Sequence, residues 1–423
     1  MNKHLLKIIW AQRKINGWIF AELLLVVCTV WWMTDMFWVD IRTYYSPLGF
    51  DVTNTWEFKV NKLPPNATGY IKEEDYHSTE KDDLNRILTQ LHTHSSFESV
   101  SIGITARPYE RGGGYNGLRP VDGDTANVRD QYFKARIVSP EYFDVFRISE
   151  LNNLPWNQLL ANRQIGQVVL TPAVAELFFH NIHVRGKQVT YGDGSTIRTN
   201  IAAVTKPIRE NEFEKASPFY YEILTPSEEM NFIDTYGATF FNIYVRMKHS
   251  LSQDEMNNIL SEMGDQLTAN NLYISTAIPF SEYRQDVLKA PTDAFNKKLA
   301  MMSFLLINVF FGIVGTFWLR TQHRQGEIGL RVALGATHYT IRKYMFLEGL
   351  YILLLTLPFT LAFALNLIFL DIPDTFRLPM TIGRFLLTYG STYLILAVMI
   401  YLGIWFPAKK ANTIAPAEAL HYE

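Results

Sequence analysis

A single cysteine, Cys28, serves a chain of 423 residues, so no intrachain disulfide can form and the chain does not report its redox compartment. Cys28 lies inside an apolar run, and the bulky Val27 before it argues against lipoprotein processing. No A-x-A-like cleavage site follows that run, which ends in Trp31, Trp32 and Met33; it is expected to remain as an uncleaved membrane helix. An excess of one charge is also missing. Lys and Arg number 39 against 41 Asp and Glu, a formal net charge of −2, so there is no electrostatic case for nucleic acid as a partner. Internal repeats and low-complexity tracts are absent. So are the signatures of chemistry: no Gly-Lys-Ser/Thr phosphate loop, no HExxH, no nucleophile elbow, no kinase set. The glycine-rich run 111–117, RGGGYNG, opens no helix after a strand and reads as a mobile loop or hairpin tip. His92 with His94, and His180 with His183, have no clear local third ligand, so neither a metal site nor a catalytic residue is expected.

What the chain does have is long apolar runs, at 17–38, 298–319, 344–370 and 384–406. Each approaches or exceeds the roughly 20 residues a helix needs to cross a bilayer. Residues 1–16 read as an amphipathic helix on the membrane surface, with Lys3, Lys7 and Lys14 on one face and Leu5, Ile8 and Ile9 on another; an ordinary basic flank is the alternative. Lys3, Lys7, Arg13 and Lys14 precede the first run. Arg320, Arg324, Arg331, Arg342 and Lys343 lie in the linker 320–343, and Lys409 and Lys410 follow the last run. The short loop 371–383, counted with Arg384 at its edge, is balanced in charge: Asp371 and Asp374 against Arg377 and Arg384. This asymmetry predicts four membrane helices with both termini and the linker cytoplasmic, and residues 39–297 outside. Trp31, Trp32, Trp38, Trp318 and Trp405 are expected to form an interfacial belt.

The segment 39–297 alternates strand-like runs (100–107, 134–138, 168–170, 197–204, 240–247) with helical ones (82–93, 172–179, 253–269). Ser252 and Glu255 suit a capping box. The fold class is therefore a four-helix membrane protein with a large α+β extracytoplasmic domain between helices one and two. Residues 208–230 read as polar and irregular. Within the spans, Glu22 is costly at membrane depth and should face protein, an interface or water, or else snorkel toward the headgroups. Asn308 could bond across helices, Gly312 and Thr316 form a small-xxx-small pair, and Pro358 should kink the third span.

The linker 327–350, EIGLRVALGATHYTIRKYMFLEGL, joins small, apolar and cationic residues in one helix instead of a polar turn. This segment is similar to the signature of MacB/FtsX-like permeases, the membrane subunits of one class of ABC transporters. The ending 406–423, FPAKKANTIAPAEALHYE, and the entry segment 8–18, IIWAQRKINGW, resemble the same family. So do IVSPEYFDVFRI (137–148), VVLTPAVAELFF (168–179) and FNIYVRMK (241–248), which resemble its periplasmic core domain. ISELNNLPWNQ and NIAAVTKPI depart from the family's usual Gly-Arg step and Val-Gly-Val run, so the substrate is not carried over.

The resemblance implies that Glu327, Gly329, Leu330, Arg331, Ala333, Leu334, Gly335 and Ala336 form a coupling helix in a groove of a separate ATPase. The small residues would allow close approach, and Glu327 and Arg331 would make charge-assisted bonds. ATP and Mg would be bound by that ATPase, with no cofactor in this chain. A second permease, identical or related, would complete a dimer in the inner membrane, the periplasmic domains moving as ATP is hydrolysed. Efflux of an antimicrobial or peptide, or lipoprotein movement, are the implied outputs. A non-transporting regulator that activates an extracytoplasmic partner such as a cell-wall hydrolase is the alternative. A membrane-anchored enzyme would need a convergent acid, base or metal cluster, and the sequence offers none.

Overall fold

Residues 13–110, 112–123, 132–192, 197–324, 326, 330–331 and 334–411 are described by the structure, a computed structural model. The expected surface helix 1–16 lies mostly outside the described residues, as do Arg111 and residues 412–423 of the tail. The chain divides into two units, Met1–Tyr45 with Thr292–Glu423, and Ser46–Pro291. Helix α1, Arg13–Tyr44, belongs to the first.

The second unit is built on strands β1 (Thr55–Lys62), β2 (Phe97–Ile104), β3 (Gly114–Pro120), β4 (Tyr132–Val138), β5 (Gln167–Leu170), β6 (Gln188–Tyr191), β7 (Arg198–Val204), β8 (Phe219–Ile223), β9 (Asn242–Met247), β10 (Thr268–Ala269) and β11 (Leu272–Pro279). They run in the order β10-β11-β1-β9-β2-β4-β3-β6-β7-β5-β8. The first five form an antiparallel sheet. The last six close on themselves, because β8 also pairs in parallel with β4. Closure leaves this half without a free edge strand among the described residues.

Helices α2 (Glu80–Thr93), α3 (Pro172–Phe179), α4 (Pro226–Tyr236) and α5 (Gln253–Met263) cover these sheets. Leu84, Ile87 and Leu91 recur at helical spacing on α2 and are buried with Phe58, Ile102 and Ile243. Burying each such side chain is worth about 1.5–3 kcal/mol. Val174, Ala175 and Phe178 of α3 pack with Leu118, Val168 and Ile201 of the closed ring. A third cluster is rich in rings: Tyr142, Phe146, Tyr221, Tyr244 and Phe280.

The α+β pattern is present, with local corrections. Ser252 and Glu255 do make the capping box that starts α5. The helix ends at Met263, short of the expected 269, because Gly264 takes φ +39° and Thr268–Ala269 then pairs with β11. The stretch 208–230, read as irregular, holds β8 and the first turn of α4. Its polar residues misled the reading because they are used inside the fold: Arg209 donates to the carbonyls of Glu214, Ser46 and Glu212. The glycine-rich run is not a loop tip over Gly114–Gly117, which pairs with Tyr132–Ala135 of β4.

The first unit adds α6 (Phe280–His323, which starts within the second), α7 (His338–Leu355), α8 (Leu357–Phe369) and α9 (Ile382–Ala411). Among the described residues four segments are long and apolar enough to cross a membrane: Gly17–Tyr44, Phe280–His323, Tyr339–Phe369 and Ile382–Trp405. The third is interrupted at Thr356, and Pro358 opens α8, where its missing N–H costs no helical bond. Ile19, Leu23, Val27 and Val30 of α1 share a core with Ile313 and Phe317 of α6, Ile352 of α7 and Leu396 and Ile400 of α9. Gly349 is forced by this packing: a Cβ there would lie 2.8 Å from Ile400 and 2.9 Å from Phe317. Trp31 is not an interfacial anchor. It is buried among the helices, edge-on to Phe385 at 6.2 Å, so only part of the expected belt can face a membrane surface.

Candidate coupling segment and buried ion pairs

The linker between α6 and α7 ends in a defined stop. Residues 330–331 are helical; the Leu334 N–H then donates to Leu330 O and the Ala336 N–H to Arg331 O. Gly335 between them has φ +89°. This six-to-one bond over a left-handed glycine is a Schellman ending. A Cβ on Gly335 would meet nothing within 4 Å, so within this chain the glycine answers a backbone need and not close packing. Thr337 follows at once as the N-cap of α7, accepting from Thr340 N–H.

Leu330 and Leu334, one turn apart, are 53% and 80% exposed. Arg331 lays its guanidinium 4.3 Å from the Tyr344 ring centroid, and Ala336 packs against the helix core. Glu327, Gly329 and Ala333 lie outside the described residues. Next to this segment, Arg324 donates to Glu348 at 2.9 Å, and Glu348 is only 2% exposed. The sequence reading passed over Glu348, although a lone carboxylate in the apolar stretch 344–370 demands a partner.

The four positions singled out for polarity or small size within the spans divide two ways. Glu22 reaches α6, accepting from the Thr316 hydroxyl at 3.4 Å. Its Oε1 lies 2.9 Å from where a Gly312 Cβ would be. Glu22, Gly312 and Thr316 therefore come together. Asn308 does not join them; its amide donates to Phe304 O of its own helix.

Ion pairs that the sequence reading missed gather around the loop 371–381. Arg384 and Asp35 form a buried pair with two hydrogen bonds, 2.9 and 2.5 Å. Asp40 accepts from Lys298 at 2.8 Å and from Arg377 at 2.7 Å. Arg377 also bonds Asp374. Burial opposes ionisation of Asp374, but the Arg377 hydrogen bonds outweigh it and hold the carboxyl below its usual range. The segment 371–384 looked neutral because its charges are matched, and Arg377 and Arg384 find their partners Asp40 and Asp35 on α1. Asp35 and Asp40, in the last turns of α1, were the available signal.

The second unit carries its own buried charges. Glu57, fully buried, faces Lys59 at 2.8 Å and Arg107 at 3.4 Å. Lys134 and Arg136 of β4 face Glu210, and Arg136 also lies 4.3 Å over the Phe219 ring. Glu110 is raised by burial despite Arg107 and Lys134 nearby. Among the described residues no three potential ligands converge on a metal site.

No family model matches this chain, and no curated protein matches it. The chain is similar to a solved extracellular domain and to a solved periplasmic region. The extracellular domain of the ABC-type transporter YknZ from Gram-positive bacteria aligns at 14% identity and TM-score 0.30, covering 53% of this chain and 100% of that one. The periplasmic region of MacB from Actinobacillus actinomycetemcomitans aligns at 16% identity and TM-score 0.33, covering 58% of this chain and 97% of that one.

Proposed function

We propose that this chain is the permease subunit of an ABC transporter of the MacB/FtsX class. In this reading the four apolar segments cross the inner membrane, both termini and the linker 320–343 are cytoplasmic, and Ser46–Pro291 is a periplasmic domain inserted between the first and second spans. A separate ATPase, holding ATP and Mg, docks on residues 327–336, and this chain contributes no nucleotide site. A second permease, identical or related, completes the pair.

The observation that carries this is the pair Leu330 and Leu334. Two leucines exposed on successive turns, on a helix end fixed by its own glycine stop and lying outside the apolar runs, present a small apolar ridge. A ridge at helical spacing seats in a groove of another protein. The resemblance of 327–349 to the family signature supports the same partner. Both chain ends of Ser46–Pro291 continue into spanning helices, α1 and α6, so movement of those helices is work delivered to that unit. Efflux of an antimicrobial or peptide, or lipoprotein movement, fits such a device. Purification of the tagged full chain from its native membrane in mild detergent, with mass spectrometry of what accompanies it, tests the proposal. A stoichiometric small ATPase is expected; outer-domain partners without an ATPase would contradict it and favour a regulator.

A further inference from the structure

Between the first turns of α7 and the last turns of α9 lies a groove of about 450 Å³, lined by Tyr339, Arg342, Lys343, Tyr401, Ile404 and Trp405. We propose that it holds the headgroup of an anionic phospholipid. The groove sits at the ends of two candidate spans, Tyr339–Phe369 and Ile382–Trp405. That is where Tyr and Trp settle and where headgroups lie. Its walls are a ladder of rings: Phe346 meets Tyr401 edge-on at 5.4 Å, and Tyr401 meets Trp405 at 5.8 Å.

Arg342 closes the ladder, its guanidinium 5.3 Å from the Trp405 centroid. The Arg342 Nε is buried and has no hydrogen-bond partner among the described residues. A buried donor of this kind calls for an acceptor. None of the lining residues is a carboxylate, and the buried Glu348 nearby accepts from Arg324. Two adjacent cations with no carboxylate among the described lining residues match a phosphate diester. Val398 and Leu402, within two turns of Trp405 on α9, are exposed and offer an apolar track for an acyl chain. That track favours a lipid over a free anion or a protein segment, in line with basic pockets between membrane helices that take acidic headgroups. The inference rests on α7 and α9 spanning a membrane and not on the ATPase reading.

The test is native mass spectrometry of the full chain in detergent, titrated with phosphatidylglycerol or phosphatidylcholine. Each cation near an acidic headgroup adds several-fold, so the chain is expected to prefer phosphatidylglycerol by roughly tenfold. Arg342→Gln with Lys343→Gln should remove the preference. Lys343→Gln alone changes an exposed side chain and should remove part of it, which guards against misfolding of the double variant. Lys297→Gln, a cation elsewhere, should leave the preference in place. An unchanged preference in both groove variants would overturn the proposal. So would displacement of the lipid by millimolar inorganic phosphate, which would mark a simple anion site. Loss of ATPase co-purification in the variants with the lipid preference intact would assign the groove to a protein and overturn it equally.

Discussion

Arg384 and Asp35, on α9 and α1, meet through two parallel hydrogen bonds with both side chains almost wholly buried. Arg384 Nη1 donates as well to the carbonyls of Asp374 and Leu378. A buried pair so completely bonded tolerates joint removal far better than loss of one partner. Arg384→Leu alone is expected to cost about 3–5 kcal/mol, seen as a lower unfolding temperature in detergent. Asp35→Leu combined with Arg384→Leu should recover most of that loss. A double variant no better than the single one would refute the pairing.

Glu22 occupies the space that a side chain on Gly312 would need. Gly312→Leu should therefore push the Glu22 carboxylate away from Thr316 and cost about 1–3 kcal/mol, the usual range for overpacking. Adding Glu22→Ala frees that space and should return part of the stability. Additive losses in a double-mutant cycle would mean the two residues do not touch.

Gly335 is held at φ +89° with open space around it. Gly335→Ala should weaken the helix stop by about 1–2 kcal/mol, since a left-handed backbone disfavours a Cβ. Gly335→Trp should abolish stimulation of the partner ATPase while membrane insertion stays intact. ATPase assays on the reconstituted complex and a fractionation of membranes check both; full stimulation in the Trp variant would dissociate this turn from coupling.

Glu222 of β8 is pushed up from 4.5 to about 7, first by burial and then by the charge of Glu228, with the Tyr191 hydroxyl opposing. Its protonated form is therefore favoured in the fold, so its contribution is full below about pH 4.5 and is lost as pH rises toward 7. Over that window the full chain should lose on the order of 1–3 kcal/mol from this group. Glu222→Gln should flatten the dependence in thermal unfolding between pH 5 and 7. An unchanged slope would show that the group titrates normally.

Much of the frame was legible because it follows from local pattern. Apolar runs placed the spanning helices, and Ser252 with Glu255 announced α5. Glu22, Gly312 and Thr316 stood out as polar or small residues in an apolar setting, although only the fold put them side by side. Long-range pairing was not legible. Asp35 and Arg384 lie 349 positions apart and each resembles an ordinary flanking charge. Closure of β8 onto β4 has no local signature, and FYYEI was hidden by the polar residues around it. Gly335 was noticed for its size, but its positive φ depends on how the chain must turn into α7.

The most direct measurement places a photo-crosslinking amino acid at Leu334, on the exposed ridge, and at Leu394, exposed on the apolar flank of α9. Irradiation of native membranes, followed by mass spectrometry of the adducts, reports what each position touches. An ATPase adduct from position 334 and none from 394 is the predicted result. No ATPase adduct from 334, in membranes where the chain is present at normal level, would contradict the assignment of this segment as the coupling element.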